Sequence, residues 1–265
     1  MPGPHLRLQV PAGALLLIAA VVLGACSGPP AHITAREGNA GASGALPWQA
    51  TPRKGDPPWL ATHEALVKRV PGSDPGVLFV GDSILFAWPS TGASSWTLFA
   101  PWRPVDIGVA GDTTQNVLWR VDHGEVADID PKVTVVMIGT NDLAQYPAGQ
   151  VARGIEAVVS DLRQHLPHTR MVLLGMLPTD PPGTARHRKP PEVNRSLAAR
   201  YAKSSVQFID LSSSFAEPDG TLRATLYHSV CLTGIEFCDT LVHPSAAGYA
   251  VIAQVVVPVV SALAR

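Results

Sequence analysis

The sequence predicts an open, parallel, doubly wound α/β fold. Two observations carry this expectation. Short apolar runs without polar alternation recur along the chain, and longer segments with a helical period separate them. Runs that are apolar on both faces suit strands buried between two layers of helices. The placement of polar motifs adds a third observation. They follow the apolar runs directly, at the carboxyl ends of the strands, where open parallel sheets form their binding crevice.

Taken in order, the first strand is Val77-Leu78-Phe79-Val80, stopped by Gly81, and the second, less regular, runs from Val105 to Val109. The clearest is Val133 to Ile138, ending at Gly139, followed by Met171 to Leu174 and Val206 to Ile209. Helices are expected over Thr114 to Val121, Gln150 to Leu166, Pro191 to Tyr201 and Ser245 to Leu263. In the second of these, Val151, Ile155, Val158, Val159 and Leu162 recur at helical spacing. Ser245 is placed to cap the last. Strand–helix alternation then gives a parallel sheet.

Charged residues make up 15% of the 265 residues and the formal net charge is -1, so no field of one sign favours nucleic acid as a partner. Residues 58–265 form one domain, large enough to bury a core without metals. Ahead of it, Arg7 precedes an apolar stretch from Val10 to Val22 that is short for a membrane span and fits a secretory signal over residues 1–25. The stretch ends in Leu23-Gly24-Ala25-Cys26, which resembles a bacterial lipobox with Cys26 as the lipidated residue. A plain signal peptide and an uncleaved anchor are the alternatives. The expected location is the outer face of a bacterial cell membrane, through a lipid anchor, or secretion. Residues 26–57 are poor in apolar side chains and read as a flexible tether. Export makes a disulfide between Cys231 and Cys238 the favoured state, with two buried free thiols as the alternative. Two cysteines without a histidine pair do not complete a zinc site.

Four polar blocks carry the chemistry. Gly81-Asp82-Ser83-Ile84 follows the first strand and presents a serine at a sharp turn. Gly108 to Thr114, a glycine-rich loop, follows the second strand and exposes backbone N–H groups; no Gly-Lys-Ser/Thr follows to make it a phosphate loop. Gly139-Thr140-Asn141-Asp142 follows the third, with an amide able to donate to developing negative charge. His243-Pro244-Ser245 precedes the last helix. Asp82 and Asp112 are expected to bond their own loop backbones. Trp88, Trp96 and Trp102 either pack in the core or line an acyl or alcohol pocket.

With its four blocks in this order, the chain resembles the SGNH (GDSL-like) hydrolase family. The run from Gly111 to Arg120 and the stretch Gly154-Ile155-Glu156-Ala157 are similar to the platelet-activating-factor acetylhydrolase catalytic subunits of that family. The resemblance implies a flavodoxin-like three-layer α/β/α sandwich with a five-stranded parallel sheet. It implies Ser83 as nucleophile and His243 as general base. It implies an oxyanion hole from the N–H groups of Ser83 and Gly111 and the side-chain amide of Asn141. No cofactor and no metal is implied. One departure stands out: the family's last block reads Asp-x-x-His, whereas Thr240 lies three residues before His243 and the acid, Asp239, lies four before. Asp239 orients His243 if the loop absorbs that shift; otherwise a backbone carbonyl or Thr240 does.

The resulting expectation is a serine esterase acting through an acyl-enzyme on a small-molecule, glycan or lipid ester with a short acyl group. Acyl transfer to a sugar or cell-wall polymer is the alternative within enzymes. A tethered binding protein with a decayed site is the alternative outside them.

Overall fold

The computed structural model describes residues 44–179, 187–228 and 241–265. The expected signal peptide, Cys26, Cys231, Cys238 and Asp239 lie outside the described residues.

Five parallel strands form one sheet: β1 (Val77–Gly81), β2 (Pro104–Asp106), β3 (Val133–Met137), β4 (Arg170–Leu174) and β5 (Gln207–Ile209). Their spatial order is β2-β1-β3-β4-β5. The register runs Leu78 against Val105 on one side and against Thr134 on the other. The long helices are α1 (Pro57–Arg69), α2 (Thr114–Arg120), α3 (Ala148–His165), α4 (Lys189–Tyr201) and α5 (Ala246–Leu263).

The apolar runs become central strands because alternate side chains enter two different cores. Leu78, Val80, Val136 and Leu173 join the core under α1 to α4. Val77, Phe79, Val135 and Val172 join a second core under α5 and the segment after Ser83. This is the three-layer sandwich. In α3, Val151, Ala152, Ile155, Val158, Val159 and Leu162 are buried, one face of the helix. In α5 the buried set is Tyr249, Ile252, Ala253, Val256 and Val260. Ser245 caps α5, its Oγ accepting from the Gly248 N–H. Trp88 is fully buried, stacked on Tyr249 at 5.5 Å, and Trp96 and Trp102 pack partly buried against the same cluster. Core packing, not pocket lining, is therefore the role of Trp88.

Two expectations are corrected and one element is new. The regular part of β2 is Pro104–Asp106 rather than Val105 to Val109. The Gly108 N–H turns to Asp106 Oδ1, while the Ile107 and Val109 N–H groups still donate to Phe79 O and Gly81 O, so the chain stays beside β1. Helix α1 was not expected, although Asp56 caps it by accepting from the Trp59 N–H and Pro57 opens it. The second correction concerns the end of the tether. From Ala45 the chain is a strap bonded to α2 and α3 instead of a spacer. Gln115 Nε2 and the Tyr146 hydroxyl donate to Ala45 O, Thr114 Oγ1 to Pro47 O, and Asn116 Nδ2 to Thr51 O. Arg153 lies 3.7 Å over the Trp48 ring. These partners satisfy the strap's backbone polar groups without any strand or helix of its own.

Candidate active site

Among the described residues, each candidate sits just after a strand or just ahead of α5. β1 ends at Gly81, where a Cβ would collide with the Met137 carbonyl oxygen of the neighbouring strand. Asp82 is buried and caps the short helix Ser83–Phe86, its Oδ1 accepting from the Ile84 N–H at 2.9 Å. That cap sets Ser83 at the first helical position, half-buried. Tyr249 reaches across from α5 and donates to Ile84 O at 2.7 Å.

His243 comes from the opposite end of the chain. Residues 226–228 pin its backbone: the His228 N–H donates to His243 O at 2.9 Å and the Ser245 N–H to Leu226 O at 2.8 Å. Tyr227, whose hydroxyl donates to Pro178 O at 2.6 Å, pairs antiparallel with Pro244. The result is contact between His243 Nε2 and Ser83 Oγ at 2.8 Å across 160 residues of sequence. Burial pushes the His243 pKa below the ordinary histidine value, and the nearby His228 adds to the effect. The imidazole is then neutral at physiological pH, and its Nε2 can accept the hydroxyl proton.

Gly111 adopts φ +77°, which a glycine accommodates without strain. Asn141 Nδ2 donates to Asp112 O at 2.8 Å, bringing the amide beside the Gly111 loop. Asp142 makes a second tie, accepting from Thr114 Oγ1 at 2.7 Å and from the Thr114 N–H at 3.1 Å. Burial pushes both Asp82 and Asp142 up to about 7, against the hydrogen bonds that lower them, and neighbouring carboxylates add to the rise.

Ser83, Gly111 and Asn141 follow the carboxyl ends of β1, β2 and β3. Ser83 is in direct contact with His243, and the Asn141 side chain is bonded to Asp112, next to Gly111. Asp112 itself differs from expectation. Its carboxylate binds side chains rather than its loop backbone: Arg53 Nη2 and Trp59 Nε1 at Oδ1, both at 2.8 Å, and Arg120 Nε at Oδ2 at 2.7 Å. Arg120 continues to Glu125, and Glu125 to His63 at 2.8 Å, all buried. Sequence reading missed Arg53, Arg120, Glu125 and His63. Their partners lie up to 62 positions away, so no local pattern marks them.

A serine hydroxyl bonded to a histidine imidazole at the carboxyl ends of a flavodoxin-like sheet defines a serine hydrolase type of site. Residues 79–251 match the GDSL-like lipase/acylhydrolase family. The human platelet-activating factor acetylhydrolase IB subunit alpha2 is 35% identical over 193 residues, which is 72% of this chain and 83% of that protein. The chicken protein of the same name is 36% identical over 188 residues, 70% and 80%. Among solved structures, a Bacteroides fragilis protein provisionally assigned as an acylhydrolase superposes with TM-score 0.62 at 21% identity, covering 79% of this chain and 99% of that one. A GDSL-like lipase from Bacteroides thetaiotaomicron gives 0.54 at 20%, covering 70% and 87%. The chain belongs to the GDSL-like lipase/acylhydrolase family and is an ester-hydrolysing enzyme.

Proposed function

We propose that this enzyme is an exported serine esterase that hydrolyses short-chain carboxylic esters through an acyl-enzyme on Ser83. The observation that carries the reading is the 2.8 Å contact between Ser83 Oγ and His243 Nε2. Ser83 Oγ attacks the ester carbonyl carbon while His243 Nε2 takes the hydroxyl proton. Negative charge on the former carbonyl oxygen is held by the N–H groups of Ser83 and Gly111 and by Asn141 Nδ2. Collapse breaks the bond to the alcohol, which leaves with the proton from His243. A water deprotonated by His243 then attacks the acyl-enzyme, freeing the acid and restoring Ser83. Asp239 is the acid that orients His243 in this scheme. Short acyl groups are favoured because the relatives named above are acetylhydrolases. Export rests on the signal-like residues 1–25, with a lipid on Cys26 holding the enzyme at the outer face of the cell membrane and Cys231 and Cys238 paired.

The test is a panel of p-nitrophenyl esters from acetate to palmitate, run beside labelling with a fluorophosphonate probe. The short esters are expected to be turned over fastest, and Ser83→Ala to abolish both turnover and label. Undiminished activity in Ser83→Ala sinks the acyl-enzyme. A preference for palmitate sinks the short-chain assignment alone. Cys26→Ala is expected to release the enzyme from the membrane fraction.

A further inference from the structure

One Arg53 nitrogen grips the chain on both sides of Gly111. Nη2 donates to Ala110 O at 2.7 Å and to Asp112 Oδ1 at 2.8 Å. The guanidinium lies against the glycine itself, since a Cβ on Gly111 would stand 3.0 Å from Nη2. The Ala110 carbonyl and the Gly111 N–H belong to one peptide unit, which is planar and trans, so they point in opposite directions. A donor fixed on the carbonyl therefore fixes the direction of the N–H on the far side. It also polarises the unit, and a polarised amide is a better donor.

The arginine is itself held. Its side chain is 18% exposed, with Asp56 at 3.7 Å and the Trp59 ring 6.0 Å from its guanidinium carbon. Asp112, the carboxylate it shares, is anchored from the other side by Trp59 and Arg120. Arg53 lies ahead of the residues matching the family, in the strap that leads into α1.

We propose that Arg53 is a positioning residue for ester hydrolysis, orienting and polarising the Ala110–Gly111 peptide so that the Gly111 N–H is aimed at the oxyanion before substrate arrives. This inference rests on the reading of Gly111 as an oxyanion donor. It gives the strap a part in the reaction beyond packing.

The experiment uses the whole protein with p-nitrophenyl acetate and expresses kcat per site titrated to completion with a fluorophosphonate. Loss of one oxyanion donor costs about 10²–10³ in kcat, and loss of its orienting group should cost about tenfold or more. Arg53→Ala is expected to lower kcat per titrated site by that factor with KM within about twofold, because the interaction operates in the transition state. Guanidinium at low millimolar concentration is expected to restore part of the rate to Arg53→Ala and to leave the wild type unchanged. A merely structural arginine would reduce the number of titratable sites and leave kcat per site alone; that outcome overturns the proposal. Should Arg53→Ala not fold, Arg53→Lys and Arg53→Gln carry the same measurement, and wild-type kcat per site in both overturns it equally. Full activity in Ser83→Ala would overturn the acyl-enzyme reading and this inference together. A dead Ser83→Ala beside an unchanged Arg53→Ala overturns only the role of Arg53.

Discussion

Asn141 donates from Nδ2 to the carbonyl of Asp112 at 2.8 Å, and this bond ties the loop after β3 to the loop after β2. A primary amide carries two N–H groups. One is spent on the brace, and the other is the one the proposed mechanism assigns to the oxyanion. Asp142, the next residue, binds Thr114 and repeats the tie deeper in the protein. Two loops that share two anchor points cannot drift apart, which is what preorganised donors require.

Asn141→Ala therefore removes a donor and a brace at once. Its kcat on p-nitrophenyl acetate is expected to fall by about 10²–10³, the usual cost of one oxyanion donor. KM should change far less. Steady-state kinetics on folded, titrated enzyme checks this, and a kcat within threefold of wild type would remove Asn141 from the mechanism.

The strap gives a second prediction, on stability. Gly154 lies in α3, where alanine has the higher helix propensity by roughly 1 kcal/mol. A Cβ there would stand 2.7 Å from both Pro47 Cβ and Thr114 Oγ1. The clash falls on the strap and on the α2 threonine that bonds it. Gly154→Ala is thus expected to lower the urea midpoint, by about 1–3 kcal/mol in free energy, the usual cost of overpacking. An increase in midpoint would mean that the strap is not packed as described.

Much of this architecture was legible in the sequence. The central strands β1, β3 and β4 could be read because they are apolar on both faces, while the edge strands β2 and β5 are only half-buried and shorter than their apolar runs. Ser83 and His243, which meet, could be read because one follows a clear strand and the other precedes a clear helix. The strap was not legible. Its hydrogen bonds are made by carbonyls of Ala45, Pro47 and Thr51, which any residue supplies, to side chains about 65 to 101 positions away. The buried chain Arg53–Asp112–Arg120–Glu125–His63 escaped for the same reason. Helix α1 was legible in principle, since Asp56-Pro57-Pro58 is a start signal.

Asp82 should make the protein more stable in mild acid. Its carboxyl is buried, and Oδ2 has no hydrogen-bond partner among the described residues. Burial raises its pKa to about 7, and Asp142 behaves alike. With the folded value above the unfolded one of about 3.9, the native state binds more protons between those values. This contribution to stability is full below about pH 4 and declines as pH rises towards 7. Asp82→Asn keeps the shape and abolishes the charge. At pH 8 its melting temperature is expected to exceed that of the wild type by a few degrees, on the scale of about 2–4 °C per kcal/mol. The gap should narrow on acidification, as thermal melts from pH 5 to 8 would reveal. A gap independent of pH would show that Asp82 does not titrate in this range.

The catalytic pH profile should move the opposite way, because the group concerned is a base. Burial, chiefly, and then the nearby His228 lower the His243 pKa. The neutral imidazole needed to accept the Ser83 proton therefore persists into more acidic solution than for a free histidine, whose pKa is about 6.5. The acidic limb of kcat/KM, which reports the free enzyme, is expected below pH 6.5. His228→Gln removes the smaller cause and leaves the larger, so its limb should shift upward while kcat at pH 8 is unchanged. Since folding stability through Asp82 also favours mild acid, the enzyme should remain folded across the limb, and the loss of rate there can be assigned to protonation of His243. A wild-type limb at pH 7 or above would overturn this expectation and show that the proposed Asp239 carboxylate outweighs the burial of His243.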